Sequence, residues 1–221
     1  FVGSMLVDEL CQQGAQRVRV LDVRAPITAF PDQVDFLRGS ILDDTALSQA
    51  MQGCALVYHV AAIPDLWLAD KQQFHLVNTI GTQKVLAAAA QANVQKLVYT
   101  STESIVVGTS RRDGNADETS AVSLQDMPGP YCRSKFLAEQ AARKAAQDGQ
   151  PVVIVNPTLP IGPGDERLTP PSRMLLGYLN GDYGAYLNSA FNLIHVRDVA
   201  RGHILAAEHG RVGERYMLAG E

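Results

Sequence analysis

Apolar and polar positions along this chain alternate between two periods. Short runs rich in β-branched residues predict strands over 18–23, 34–37, 55–60, 96–101 and 152–155. Between them, the 3.6-residue repeat of a half-buried helix recurs over 2–13, 44–51, 70–92 and 131–147. Strand and helix in turn at this spacing make βαβ units, so the predicted fold class is α/β, a doubly wound parallel sheet with helices on both faces. Gly14, Gly53 and Gly149 each follow a predicted helix, where a left-handed residue closes the final turn.

Two breaks interrupt the alternation. Residues 108–129 are rich in Gly, Ser, Asp and Thr and read as a loop of about 20 residues, a length that inside compact domains usually marks function. After Pro157 the stretch "NPTLPIGPGDERLTPP" is broken by Pro and Gly, and "SRMLLGYLNG" then resumes as a short helix. A second, smaller layer is expected to begin there. The helix over 2–13 has no strand before it, although the first strand of a doubly wound sheet is central, so residues upstream of Phe1 are expected to be missing.

Composition narrows the classes. With 46% hydrophobic and 19% charged residues the chain can bury a full core. A net charge of −4 with no basic stripe excludes a nucleic-acid or anionic-membrane surface, the one tight basic cluster being Arg111 and Arg112 in the polar loop. No apolar run approaches the length of a membrane span and no leader pattern opens the chain, so the expectation is a soluble, cytoplasmic protein without a membrane partner. Cys11, Cys54 and Cys132 are too few and scattered for a disulfide framework, and the five histidines show no ligand spacing, so no metal site is expected.

Candidate chemistry collects at the strand ends. Gly3, in the first turn of the first helix, suits the third glycine of a phosphate-binding fingerprint, which permits close helix-to-strand packing. Asp22 ends the strand "VRVLD" about 20 residues on, where an acidic side chain accepts hydrogen bonds from an adenosine ribose. It would repel a 2′-phosphate and so favours NAD, while Arg24 offers a counter-charge that keeps NADP possible. Ala61 and Ala62 end a buried strand and let a flat cofactor approach the backbone. Asn78 and Gly81 interrupt an otherwise apolar helix, and the cost of about 1 kcal/mol for a helical glycine points to close packing at Gly81. His59 reads as a core histidine.

The most telling pair lies in "GPYCRSKFLAEQ", which places Tyr131 and Lys135 one turn apart on one helix face, after the hydroxyl-rich strand end "YTSTES" and the long loop. A phenol titrates near 10, too high for efficient proton exchange at neutral pH. An ammonium about 4 Å away would favour the phenolate by on the order of 4 kcal/mol before desolvation opposes it. Tyr131 is thereby expected to act as general acid or base, Lys135 also to hold ribose hydroxyls, and Thr102, with Ser101 in reserve, to fix a substrate oxygen.

Taken in order, Gly3, Asp22, "HVAA", "VNTIGT", "YTST", "YCRSK", "NPTLPIGPGD" and "HVRDVARGHILA" resemble the extended short-chain dehydrogenase/reductases of the NAD-dependent epimerase/dehydratase superfamily. Within them the chain is most similar to the group of 3β-hydroxysteroid dehydrogenases, dihydroflavonol reductases and hopanoid-associated epimerase-like proteins. The resemblance implies an NAD(P)-binding Rossmann domain with a seven-stranded sheet and a small C-terminal substrate domain. It places a dinucleotide-binding domain over 1–157, a substrate-side segment over 158–192 and a return to the first domain over 193–221, with both ends truncated. It assigns catalysis to Thr102, Tyr131 and Lys135, with Asn78 supporting the active-site helix. Cofactor contacts are expected from Gly3, Asp22, Arg24, Ser40, Ile41, Ala61, Ala62, Tyr131, Lys135, Asn156 and Pro157. Ser40 stands where the family usually has an acidic residue, which weakens a side-chain contact to adenine, and Ile41 can pack on the ring.

The reading that best fits these residues is an NAD(P)-dependent oxidoreductase interconverting a secondary alcohol and a ketone. Pro157, Leu159, Pro160, Ile161, Met174, Leu175 and Leu176 offer an apolar wall suited to a sterol, terpenoid or flavonoid-like compound. Two alternatives stay open. A nucleotide-sugar epimerase or dehydratase with retained NAD would use Arg167 or Arg173 for the diphosphate, and a non-catalytic dinucleotide sensor would keep the fold alone. A homodimer through the helices over 70–92 and 131–147 is a further possibility.

Overall fold

A computed structural model describes residues 1–107 and 116–220. The chain runs through α1 (Val2–Gln12), β1 (Val18–Asp22), β2 (Val34–Arg38), α2 (Asp44–Met51), β3 (Leu56–His59) and a π-helix (Phe74–Ile80) that continues as α3 (Gly81–Gln91). There follow β4 (Lys96–Thr100), α4 (Ser104–Val107), a 3-10 turn (Leu124–Asp126), α5 (Gly129–Gln147), β5 (Val152–Pro157), β6 (Leu159–Ile161), α6 (Pro170–Leu179), β7 (Leu193–His195), α7 (Val196–His209) and β8 (Arg215–Leu218).

Local chemistry explains the element ends. Asp43 caps α2 by accepting from the amides of Thr45 and Ala46 at 2.9 and 3.2 Å. Gly14, Gly53 and Gly149 take φ of 86°, 72° and 94°, the left-handed closures their positions predict. The helix expected over 70–92 begins later, because the Asp70 side chain accepts from the Gln72 amide at 3.0 Å and turns the chain first. Its opening seven residues are then π-helical, with the Thr82 hydroxyl donating to the Asn78 carbonyl at 2.7 Å. Residues 116–129 also hold more structure than the expected loop: a capping box between Ser123 and Asp126 opens the 3-10 turn. Arg111 and Arg112 lie outside the described residues.

All strand pairings are parallel. One sheet has the order β3-β4-β5-β8, while β1 pairs with β2 and β6 with β7 in separate two-stranded ladders. The seven-stranded sheet that the resemblance implies is therefore absent among the described residues: β1 has no ladder partner besides β2, and β3 none besides β4. Residues of β4 and β5 alternate between two cores. Leu97, Tyr99, Val152 and Ile154 pack with Leu47, Val85, Leu86 and Ala138 of α2, α3 and α5. Val98, Val153 and Val155 pack with Ala206 and Ala207 of α7 on the other face, and α7 also meets α1 through Met5, Leu6, Val196 and Ala200. Burial on both faces is what makes these strands read as unbroken apolar runs.

Parallel strands put all their carboxyl ends on one edge. That edge carries Asp22 at the end of β1, Ala61 and Ala62 beyond β3, Ser101 to Glu103 beyond β4, and Pro157 at the end of β5.

Candidate active site

Three elements meet around Tyr131. The segment after β4 supplies Thr102, whose hydroxyl donates to Glu103 Oε2 at 3.0 Å. The first turns of α5 supply Tyr131, Ser134 and Lys135. The π-helix supplies Asn78 and Phe74, whose ring meets the Tyr131 ring edge-on with centroids 6.3 Å apart.

Asn78 is a buried clamp. Its Oδ1 accepts from the Ile63 amide at 2.8 Å, and its Nδ2 donates to the Ile63 carbonyl at 3.2 Å and to Ser134 Oγ at 3.1 Å. Thr79 adds a hydroxyl donated to the Ser134 carbonyl at 3.0 Å. The loop beyond Ala61 and Ala62 is thus tied to the turn of α5 between Tyr131 and Lys135. A π-bulge at this position turns Asn78 and Thr79 toward α5 together, which an uninterrupted α-helix pattern did not anticipate.

Lys135 departs from expectation. Its Nζ donates to the Thr100 carbonyl at 2.7 Å and stands 4.8 Å from the Tyr99 ring centroid. Burial lowers its pKa to about 7, against the opposing charge of Glu139. Tyr131 is shifted upward rather than downward. Burial is the largest cause, a hydrogen bond from Thr102 opposes it, and the charges of Glu103 and Cys132 add to it. The amine serves a backbone carbonyl, while the phenol is desolvated. Tyr131 in this state is a firmly protonated acid.

The other expected site residues are placed as follows. Asp22 is exposed at the end of β1 and accepts from the Arg24 amide at 2.9 Å. The Ser40 hydroxyl oxygen accepts from the Leu42 amide at 3.1 Å, forming a local turn. Ile41 packs against α3, where a Cβ on Gly81 would come within 2.5 Å of its Cδ1; the close approach inferred at Gly81 is real. At Gly3, by contrast, an added Cβ would meet nothing within 4 Å, so close packing at that glycine is not seen among the described residues. Asn156 is fully buried, and its Nδ2 donates to the Thr102 carbonyl at 3.0 Å and to Glu139 Oε2 at 2.9 Å. Through these bonds it braces the Thr102 segment. Pro157 accepts from the Glu103 amide at 3.1 Å.

Four contributors escaped the sequence reading: Glu103, Ser134, Glu139 and Arg215. Glu139 binds Asn156 and Arg215, the latter at 3.3 Å, and Arg215 also donates to the carbonyls of Glu118 and Ser120 at 2.8 and 2.6 Å. The cluster fastens residues 118–120 beside α5. Only Ser134 and Glu139 carried a signal, as polar residues on the buried face of a helix. His59 and His203 are buried supports, lowered by burial to about 3 and about 4 and hydrogen-bonded to Thr82 and Thr100 at 2.9 and 2.8 Å.

A parallel α/β sheet with small residues, an acid and a Tyr-Lys helix along its carboxyl edge defines a dinucleotide-fold protein. Residues 1–219 match the family model described as the NAD dependent epimerase/dehydratase family, and the chain belongs to that family. It is 42% identical over its whole length to a putative dihydroflavonol 4-reductase of Synechocystis sp., of which it spans 65%. It is 32% identical to sterol demethylase protein B of Methylococcus capsulatus, again over all of the chain and 67% of the relative. Among solved structures, dTDP-glucose 4,6-dehydratase DesIV of Streptomyces venezuelae, with NAD and TYD bound, superposes with a TM-score of 0.83 at 28% identity, covering 99% of this chain and 72% of that one. No helix among the described residues is long and apolar enough to cross a membrane.

Proposed function

We propose that this chain forms the dinucleotide side and catalytic centre of an NAD(P)-dependent oxidoreductase that interconverts a secondary alcohol and a ketone, with NAD the preferred cofactor. The observation that carries the reading is the placement of Tyr131 and Lys135 one turn apart at the start of α5, with Ser134 between them clamped by Asn78 and with Lys135 Nζ bonded to the Thr100 carbonyl at the carboxyl end of β4, just before Thr102. The residues fit a nicotinamide dinucleotide. Asp22 is exposed with its Oδ2 outside any hydrogen bond among the described residues, which suits ribose hydroxyls, and Ala61 and Ala62 leave the backbone open beyond β3. Arg24 beside Asp22 keeps NADP within reach, while Tyr131 and Lys135 stand at the nicotinamide end. When bound, the cofactor supplies the hydride chemistry.

The chain's own residues handle the oxygen and its proton. Thr102 holds the substrate oxygen against Tyr131, and the protonated phenol donates to a ketone oxygen as it becomes an alcohol. The reverse reaction returns that proton to Tyr131. Asn78 holds the turn carrying both groups, and Asn156 holds the Thr102 segment. Pro160 and Ile161 of β6, with α6 packed beside them, support an apolar substrate such as a hydroxysteroid, terpenoid or flavonoid-like compound, in keeping with the names of the two relatives. The nucleotide-sugar reading has less support here: Arg173 is paired with Asp65 at 3.2 Å.

The test is Tyr131→Phe in the full-length enzyme, assayed with hydroxysteroids, ketones and nucleotide sugars and with both cofactors. A fall in kcat of roughly 100-fold or more, with cofactor affinity within threefold, is expected from loss of the acid. Wild-type turnover by the variant would remove the reading.

A further inference from the structure

The segment read as substrate-side leaves the sheet at Thr158 and returns at Asn192, and its two ends meet. Asn192 Oδ1 accepts from Thr158 Oγ1 and from the Gly220 amide, both at 2.9 Å. Its Nδ2 donates to the Gly220 carbonyl at 2.9 Å, so one side chain closes both polar groups of a residue just past β8. The Asn192 carbonyl accepts from the Leu159 amide at 3.2 Å, where β6 begins. Thr158 is tied to the sheet as well, its amide donating to the Leu218 carbonyl of β8 at 2.9 Å. Packing here is close, since a Cβ on Gly220 would collide with the Leu193 carbonyl oxygen.

We infer that Asn192 is a positioning residue for substrate binding, which fixes β6, and with it Pro160 and Ile161, relative to the catalytic groups. This role rests on the apolar-substrate function proposed above. The β6 ladder is weak by itself. Among the described residues β6 pairs with β7 alone, Leu159 with Leu193, Pro160 with Ile194 and Ile161 with His195. The middle residue is a proline, which brings no amide to the ladder. A slip of one residue would exchange the faces that Pro160 and Ile161 present. Asn192 bonds Thr158 and Leu159, the two residues at which that register is set.

The position of β6 matters to a substrate held at Tyr131. The Pro157 carbonyl accepts from the Glu103 amide at 3.1 Å, next to Thr102. Pro160 is three residues farther along, about 10 Å of extended chain, within the length of an extended apolar compound whose oxygen sits at Thr102 and Tyr131. A second tie of this segment, Arg173 of α6 to Asp65 at 3.2 Å, is an exposed ion pair and holds weakly. The reacting groups have their own supports, Asn78 through Ile63 and Ser134, and Asn156 through Thr102 and Glu139. Loss of Asn192 therefore moves the substrate wall and leaves the reacting groups in place.

The experiment is steady-state kinetics of the full-length enzyme with NAD, using whichever of a 3β-hydroxysteroid, a terpenoid alcohol and a flavonoid-like ketone, the last with NADH, the wild type turns over best. Wild type is compared with Asn192→Ala, Asn192→Asp, Thr158→Val, Thr158→Ser and Tyr131→Phe, and NADH affinity is measured by fluorescence titration. In Asn192→Ala, KM should rise roughly tenfold or more, with kcat and the NADH Kd within about threefold, the pattern of lost uniform binding. Asn192→Asp keeps both acceptor bonds of Oδ1 and should fall between alanine and wild type. Thr158→Val should raise KM, and Thr158→Ser, which keeps the hydroxyl, should match wild type; this pair decides the matter if Asn192→Ala fails to fold. Wild-type KM in Asn192→Ala or in Thr158→Val, alongside an inactive Tyr131→Phe, would overturn the inference and leave the proposed function standing. Parallel losses in kcat, KM and NADH affinity would also overturn it, in favour of a general structural role. Full activity of Tyr131→Phe, or a wild type that turns over none of the three compounds, would remove both.

Discussion

Lys135 donates to the main-chain carbonyl of Thr100 at 2.7 Å, across the junction of α5 and the end of β4. This bond fixes the amine at the strand end, and burial there lowers its pKa from 10.5 to about 7. Between those two values the unfolded chain binds more protons than the native one, so Lys135 makes stability rise with pH across that window. Urea unfolding at pH 7, 8 and 9 should show the wild type gaining on Lys135→Met by about 1 kcal/mol per pH unit. A constant difference between the two would contradict the buried, depressed amine.

Asn78 is expected to matter for stability as well as turnover. Replacing it with Ala removes bonds to both polar groups of Ile63 and to Ser134, and leaves partly buried backbone unpaired. The loss should be roughly 2–4 kcal/mol by urea denaturation. Because the clamp holds the Tyr131 turn, kcat should fall in Asn78→Ala even at temperatures where the variant is fully folded.

At Gly81 the constraint is steric, since a Cβ would stand 2.5 Å from Ile41 Cδ1. Gly81→Val should cost about 1–3 kcal/mol through overpacking. Pairing it with Ile41→Ala should recover part of that loss, and a double-mutant cycle gives the coupling directly. Simple additivity would mean that the contact is not what requires glycine.

Arg215 and Glu139 form a nearly buried ion pair at 3.3 Å, shared with Arg143 and Asn156. Removing Arg215 leaves Glu139 with Arg143 and Asn156 but takes the donor from the Glu118 and Ser120 carbonyls, so Arg215→Met should destabilise by about 1–3 kcal/mol. It should also free residues 118–120, detected as faster amide exchange there than in β5.

The sequence by itself determined the α/β class, the places of most strands and helices, the left-handed glycines and the shared face of Tyr131 and Lys135. These follow from short-range rules, namely side-chain period, capping and turn geometry, which act over a few residues. The need for glycine at 81 was legible for the same reason, as a local cost that something had to offset. Tertiary structure alone decided which sheet each strand joined, that the Lys135 amine would meet Thr100, and that burial would raise Tyr131 rather than let a cation lower it. It also decided that Asn78 would reach Ser134 and that Arg215 would reach Glu139. Each depends on residues far apart in the chain, or on how completely water is excluded from a polar group, and neither quantity is encoded in local periodicity.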